Sequence, residues 1–553
     1  MEYSAIYHDM DKRFCYAIDK DLFVIRVQVK KDDMKEIILH CEDKYIPMER
    51  KDTKKTILMK KIATSQFHDY YEAQLQMQGE KIYYGNYEFY KECITNRDRM
   101  FDCPQNLREE EMFEVPDWAA NKVVYQIFPA RFAASQQVDK EQWYKAPISS
   151  MDDLHGDLRG IIEHLDHVQN LGIDVLYMTP IFKSYSSHKY DIIDYYQIDP
   201  SFGTTEDLRE LVQEAHKRGM KIVMDAVFNH TGREFFAFED IMEKGEKSKY
   251  LDWYYIEKFP LESERGEIPN YKCFGYYGGM PKLNLKNPEV EKFFTDVACY
   301  WIKECDIDGW RMDVGDEISH YFWKNFRRAV KAVKKDMLII GEIWHYAGDF
   351  LEGDEWDTVM NYPFYLNMID LLADEKIHVS QFVQNLGYLK GRLNKKCYPL
   401  MWNLIDSHDT ARFLHLCNGN KKKQHLAAAF QLLLPGMPMI YYGDEFAMPG
   451  ANDPDCRRGM YWDEEYQDKE MFEWYRQLLK VRKNHACIVE GEPLEIAARD
   501  GEETIVLTRK NDEETLALIF NCSSSARVFH EYAQKYDLLR EKPFDGKVIS
   551  ISF

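Results

Sequence analysis

Lys221-Ile-Val-Met-Asp-Ala-Val-Phe-Asn-His230 is the stretch on which the fold turns. A short apolar run ends in Asp225, Asn229 and His230, and it follows a charged segment, Thr205 to Arg218. In that segment Asp207, Glu210, Glu214 and Lys217 alternate with Leu208, Leu211, Val212 and Ala215 at amphipathic-helix spacing. A helix feeding a buried strand is the building unit of a parallel α/β fold.

The same texture recurs on either side. Candidate strands are Val123-Val-Tyr-Gln-Ile-Phe128, Val175-Leu-Tyr-Met178, Lys221 to Asp225, Gly309-Trp-Arg-Met-Asp313 and Leu338-Ile-Ile-Gly-Glu342. Thr358-Val-Met-Asn361, Met401-Trp-Asn-Leu-Ile405 and Met439-Ile-Tyr-Tyr442 complete the set, which matches the eight strands of a (β/α)8 TIM barrel. One connection is too long for a barrel loop, and residues 231–285 read as a subdomain inserted after the third strand. Leu426 to Tyr442 is the longest apolar stretch. Gln431, Pro435 and Pro438 break it, so it reads as a buried helix-to-strand passage and not a membrane span.

A chain of 553 residues is expected to hold about two to four domains. Residues 1–118 alternate as short strands, among them Leu22 to Val29, Glu36 to His40 and Lys81 to Tyr84, and predict an N-terminal β-sandwich. The charged run Arg108 to Glu111 and Pro116-Asp-Trp118 mark its end. The barrel takes 119–487 and closes with a helix at Glu470 to Lys483. Residues 488–553 return to strands and predict a C-terminal antiparallel β-sandwich.

The formal net charge of −22 excludes nucleic acid or an anionic membrane surface as the main partner, and suits a neutral substrate. Aromatic residues at 14 % suit sugar faces and large cores alike. The twelve Cys show no paired spacing, so neither a zinc site nor a disulfide framework is expected, and free thiols fit a cytoplasmic location. Met1 to Lys20 has no apolar core of a secretory signal.

Chemistry concentrates at the strand ends. Asp225, Asn229 and His230 follow the third strand, Arg311 and Asp313 the fourth, Glu342 the fifth, His408 and Asp409 the seventh. In a barrel these ends open onto one face, where active sites sit. One such carboxylate is more often an arginine's partner than a catalyst; four on successive strand ends point to chemistry, because burying a carboxylate is costly unless it is paired or used.

Met224-Asp-Ala-Val-Phe-Asn-His230, Gly309-Trp-Arg-Met-Asp313, Gly341-Glu-Ile-Trp344 and Asn403-Leu-Ile-Asp-Ser-His-Asp409 resemble, in order, the four signature regions of the α-amylase family, glycoside hydrolase family 13. The resemblance implies a retaining α-glucan hydrolase with Asp313 as nucleophile, Glu342 as general acid/base and Asp409 as the carboxylate that steadies the distorted transition state. It implies that Arg311 holds Asp313 ionised, since a nearby cation lowers a carboxylate pKa. His230 and His408 would bond the sugar hydroxyls, Tyr190 would stack on the sugar, and Asp225 would be the structural partner of Arg311. Retention requires Asp313 and Glu342 to stand about 5–5.5 Å apart.

Met280-Pro-Lys-Leu-Asn284 is similar to the fifth signature of the neopullulanase, cyclomaltodextrinase and maltogenic amylase subfamily, whose members also carry an extra N-terminal β-sandwich. That branch implies cyclomaltodextrins, maltodextrins and pullulan as α-1,4 substrates, some transglycosylation, and a homodimer in which the sandwich of one subunit narrows the other's active-site mouth. Asp453 and Arg457 would contact the non-reducing side of the chain, Glu317 and Trp344 the acceptor side. Two departures stand out. Ala133-Ala-Ser-Gln-Gln-Val138 offers few hard oxygen ligands where relatives bind calcium, so no metal cofactor is expected. Val314-Gly-Asp316 replaces an Ala-Asn of relatives, and the shorter Gly315 is expected to alter the acceptor side. The competing readings are a 4-α-glucanotransferase, an oligo-1,6-glucosidase, a non-catalytic barrel homologue and a glucan-binding module; Lys282 argues against the glucosidase and the full carboxylate set against the last two.

Overall fold

A computed structural model describes residues 5–9, 14–19, 22–30, 36–41, 44–50, 56–63, 70–77, 80–86, 88–102, 114–263, 268–393, 396–490, 492–523, 536–537, 542–543 and 547–551. Eight parallel strands form its central sheet: β1 (Val124–Ile127), β2 (Val175–Met178), β3 (Lys221–Ala226) and β4 (Gly309–Met312), then β5 (Leu338–Gly341), β6 (Thr358–Val359), β7 (Trp402–Asn403) and β8 (Met437–Tyr441). Their order is β6-β5-β4-β3-β2-β1-β8-β7. A parallel bridge between Met360 and Trp402 brings the two ends together, so the sheet is a (β/α)8 barrel.

Strand residues alternate sides, and this sorts the barrel. Val124, Val175, Val223, Ile340 and Met439 form a buried cluster inside, while Tyr125, Leu176, Ile222 and Ile339 pack outward against the helices. Two residues further along the same inward face stand Gln126, Tyr177, Asp225 and Glu342. Arg311 joins them, because it is in register with Asp225. The interior therefore turns from apolar to polar toward the strand C-termini. The outer helices begin where the sequence caps them: Thr204 and Asp207 form a reciprocal capping box on Thr205–Lys217, and Ser319 caps His320–Val333.

The sixth and seventh strands are shorter than the expected 358–361 and 401–405. In β7, Trp402 and Asn403 lie opposite Met437 and Pro438, and the Met437 N–H donates to the Met401 carbonyl at 2.8 Å. Side chains take over there: Asn361 Nδ2 donates to Asn403 Oδ1 at 2.8 Å, and Asn403 Nδ2 to the Pro435 carbonyl at 3.0 Å.

The insertion after β3 packs back on the strand end that launches it. Leu283 N–H donates to the Asn229 carbonyl at 3.0 Å and Thr231 N–H to that of Pro281 at 3.2 Å, so Met280 to Asn284 runs beside Asn229 to Thr231 at the mouth.

The N-terminal region forms two antiparallel sheets, one built on Leu22–Val29 and Thr56–Ala63, the other on Glu36–Cys41 and Tyr70–Met77. Its buried Arg26 donates through Nη1 to the Leu393 carbonyl at 2.7 Å, tying that domain to the barrel. At the other end Glu492–Arg499, Thr504–Lys510 and Thr515–Asn521 are antiparallel, as expected. Lys547–Ile551 departs from that order and adds parallel to Thr515–Asn521. The connection from Asn521 is long enough for the crossover that parallel pairing requires. Among the described residues no helix is long and apolar enough to cross a membrane.

Candidate active site

Arg311, buried inside the barrel, organises the polar layer. Its Nη1 donates to both oxygens of Asp225 at 3.0 Å and to Asp313 Oδ1 at 2.8 Å. Its Nη2 lies 3.0 Å from Glu342 Oε2, an ion pair without the alignment of a hydrogen bond, and 4.0 Å from Asp409 Oδ2. One guanidinium thus gathers the carboxylates of four strand ends. Asp225 is filled from all sides, since it also accepts the hydroxyls of Tyr177 at 2.6 Å and Tyr190 at 3.0 Å.

From Tyr190 the network runs on to the other wall. Its hydroxyl lies 2.6 Å from His408 Nε2, and the two rings are parallel at 5.5 Å. Gln126 meets His408 Nδ1 at 2.7 Å, and His408 Nε2 lies 3.0 Å from Asp409 Oδ2. Arg457 bridges Asp409 at 3.3 Å and Asp453 at 2.8 Å, while its Nε donates to the His408 carbonyl. His230 is buried, stacks on Phe274 at 5.1 Å, and keeps Nε2 without a hydrogen-bond partner.

On the opposite side Trp344 donates its indole N–H to Glu342 Oε1 at 3.2 Å and stacks on Tyr362. Glu317 stands apart from the carboxylate cluster. It pairs with Lys282, whose ammonium also donates to Asn229 Oδ1 at 2.8 Å. Asn229's oxygen is thereby taken by a cation of the chain itself. No group of three or more His, Cys, Asp or Glu that could hold a metal occurs among the described residues.

Burial dominates the electrostatics. It pushes the carboxyls of Asp313 and Glu342 up from their ordinary range, Asp313 well up, and it raises Asp225 to about 6; Arg311 pulls all three back down. Arg311 acts on Asp313 in the expected direction, favouring the ionised carboxylate, while burial and the neighbouring carboxylates Glu342, Asp225 and Asp409 act against it. Burial also lowers His230 to about 3, His188 to about 4 and His408 well below the usual imidazole value. These imidazoles are neutral and can both donate to and accept from sugar hydroxyls.

At Gly315 the sequence reading is corrected. A Cβ there would meet Trp356 Cζ2 at 2.6 Å, so the missing methyl faces a buried indole and not the acceptor side. Sequence reading also missed Gln126, Tyr177, Tyr362 and His188. The first had a signal, being the one polar residue within an apolar strand.

A family model described as "Alpha amylase, catalytic domain" matches residues 126–491, and one described as "Alpha amylase, N-terminal ig-like domain" matches residues 1–116. The chain is 40 % identical over 543 residues to a cyclomaltodextrinase of Geobacillus thermopakistaniensis (strain MAS1), covering 95 % of this chain and 92 % of that one. It is 41 % identical over 507 residues to neopullulanase 2 of Thermoactinomyces vulgaris, covering 88 % and 85 %. The solved structure of a cyclomaltodextrinase superposes with a TM-score of 0.89 at 38 % identity, over 97 % of this chain and 94 % of the other.

Proposed function

This chain belongs to the α-amylase family and is a glycoside hydrolase of α-glucans, and from that premise we propose that it opens cyclomaltodextrins and cuts maltodextrins and pullulan at α-1,4 bonds by double displacement. The observation that carries the mechanism is the sharing of Arg311 by Asp313 and Glu342. The two carboxyls titrate as a pair. In this reading the aligned hydrogen bond from the guanidinium keeps Asp313 ionised against its burial, and the pair's proton is carried by Glu342. Asp313 then attacks the anomeric carbon while Glu342 protonates the leaving oxygen. Water, deprotonated by Glu342, releases the sugar from Asp313 in the second step. Asp409, neutral His408 and neutral His230 hold the hydroxyls of the strained sugar, and Tyr190 provides the flat surface beneath it. Asp453 and Arg457 form the donor-side wall.

The substrate reading is supported by the names of the relatives and by Lys282, which braces the Met280 to Asn284 segment against Glu317. In this reading the chain works without calcium, since Ala133 to Val138 offers few hard oxygen ligands and the nearby Asn229 Oδ1 accepts from the ammonium of Lys282. It acts as a cytoplasmic homodimer in which the N-terminal sandwich of one subunit narrows the other's mouth, which favours small cyclic glucans over granules. Transglycosylation accompanies hydrolysis.

Product chromatography on β-cyclodextrin, pullulan, soluble starch and maltotriose, with a chelator present, tests this reading together with the mass in solution. β-Cyclodextrin is expected to be cleaved faster than starch, by a particle of twice 65.8 kDa. Faster starch cleavage, or activity lost to the chelator and restored by calcium, would contradict it.

A further inference from the structure

The two oxygens of Glu342 are not equivalent. Oε2 accepts the Val314 N–H at 2.9 Å and lies 3.0 Å from the Arg311 guanidinium. Oε1 accepts the indole N–H of Trp344 at 3.2 Å. Val314 reaches its position by adopting a left-handed conformation (φ 46°, ψ 44°), rare for a β-branched residue and sustained only where the surroundings enforce it. Trp344 is 43 % exposed, yet its ring is held parallel to that of buried Tyr362, 4.0 Å between centroids and 14° between planes.

A proton on Oε2 would face a cation and an N–H. On Oε1 it displaces a single neutral donor. We propose that the proton Glu342 exchanges with the glycosidic oxygen is carried on Oε1, and that Trp344 is a positioning residue whose indole N–H stabilises the ionised carboxylate left behind. This rests on Glu342 being the general acid/base. In the first step the Oε1–H bond breaks and the leaving oxygen gains the proton. The bond from that oxygen to the anomeric carbon breaks with its electron pair going to oxygen, as the Asp313 oxygen bonds that carbon. In the second step water adds its oxygen to the carbon and returns a proton to Oε1, and Asp313 leaves. Between the steps Oε1 is ionised and Trp344 holds it.

The other groups facing Glu342 are Asp225 on β3, Arg311 on β4, Asp313 just after it, Asp409 after β7, and the hydroxyls of Tyr177 and Tyr362. None is changed by a substitution at position 344. Trp344→Phe keeps a ring to stack on Tyr362 and removes the N–H. The alkaline limb of kcat/KM for β-cyclodextrin reports loss of the acid's proton in the free enzyme. Losing a hydrogen bond to a charged group is expected to move that limb up by about one pH unit. A limb that stays in place while kcat/KM falls equally at every pH would overturn the proposal and leave Trp344 a stacking surface only. Glu342→Gln separates the two levels: an active Gln variant removes the acid/base reading itself, whereas an inactive one beside an unmoved Trp344→Phe limb removes only the role given to Trp344.

Discussion

Arg311 shows what a single buried charge does here: it makes four strand-end carboxylates affordable in a dry interior, and in return each of them fixes its fork. Glu355 shows the opposite case. It is buried at 2 % exposure beside His320, 2.9 Å away, and Lys324, 3.9 Å away, and burial raises its carboxyl to about 7. A folded-state pKa above the unfolded value favours the protonated fold, so this group costs stability as pH rises from the ordinary carboxylate range through about 7. Glu355→Gln should therefore gain Tm over the parent chain at pH 8 and show little gain at pH 5; a difference independent of pH would assign the effect to packing. Glu355 was not legible in the sequence, because nothing in an acid-rich loop says which carboxylate is buried. Asp313 and Glu342 were, because a charged residue ending an apolar run has few structural uses. Tyr177 shows the limit: its inward position follows from the alternation with Val175, but a tyrosine fits core and site alike.

At the scale of elements, one tryptophan packs against the ends of both β4 and β5. Trp356 is fully buried and stacks on Phe350 at 4.2 Å. A Cβ on Gly341 would meet its ring at 2.1 Å, and one on Gly315 at 2.6 Å. These glycines flank Glu342 and Asp313 and let the strand ends approach the indole closely. Gly341→Ala overpacks this contact, which should cost about 1–3 kcal/mol of stability, read as a lower denaturation midpoint. It should also lower kcat by shifting Glu342; a variant with parental stability and turnover would show that Trp356 yields freely. The eight strands were legible from short apolar runs, whereas the shortening of β7 was not. There the side chains of Asn361 and Asn403 bond each other and the Pro435 carbonyl in place of ladder bonds, an exchange between distant residues that no local pattern announces.

Over the whole molecule, the domains meet through buried polar contacts. Arg26 reaches the Leu393 carbonyl, and next to it Arg392 lies over Tyr346, 3.7 Å from the ring centroid and four residues beyond Glu342. Arg327 Nη2 donates to the Glu114 carbonyl at 2.7 Å. The N-terminal sandwich is thus fixed to the barrel near the loop that carries the proposed acid. Its strands were legible from alternation; these anchors join residues hundreds of positions apart and leave no local trace. What unites fold and site is the placing of Asp313 and Glu342 on one guanidinium, and with it the claim of double displacement. Proton NMR of the reducing end first released from β-cyclodextrin tests that claim most directly. The α-anomer should appear first and then mutarotate, whereas a first product in the β-anomer would mean inversion and would contradict a covalent intermediate on Asp313.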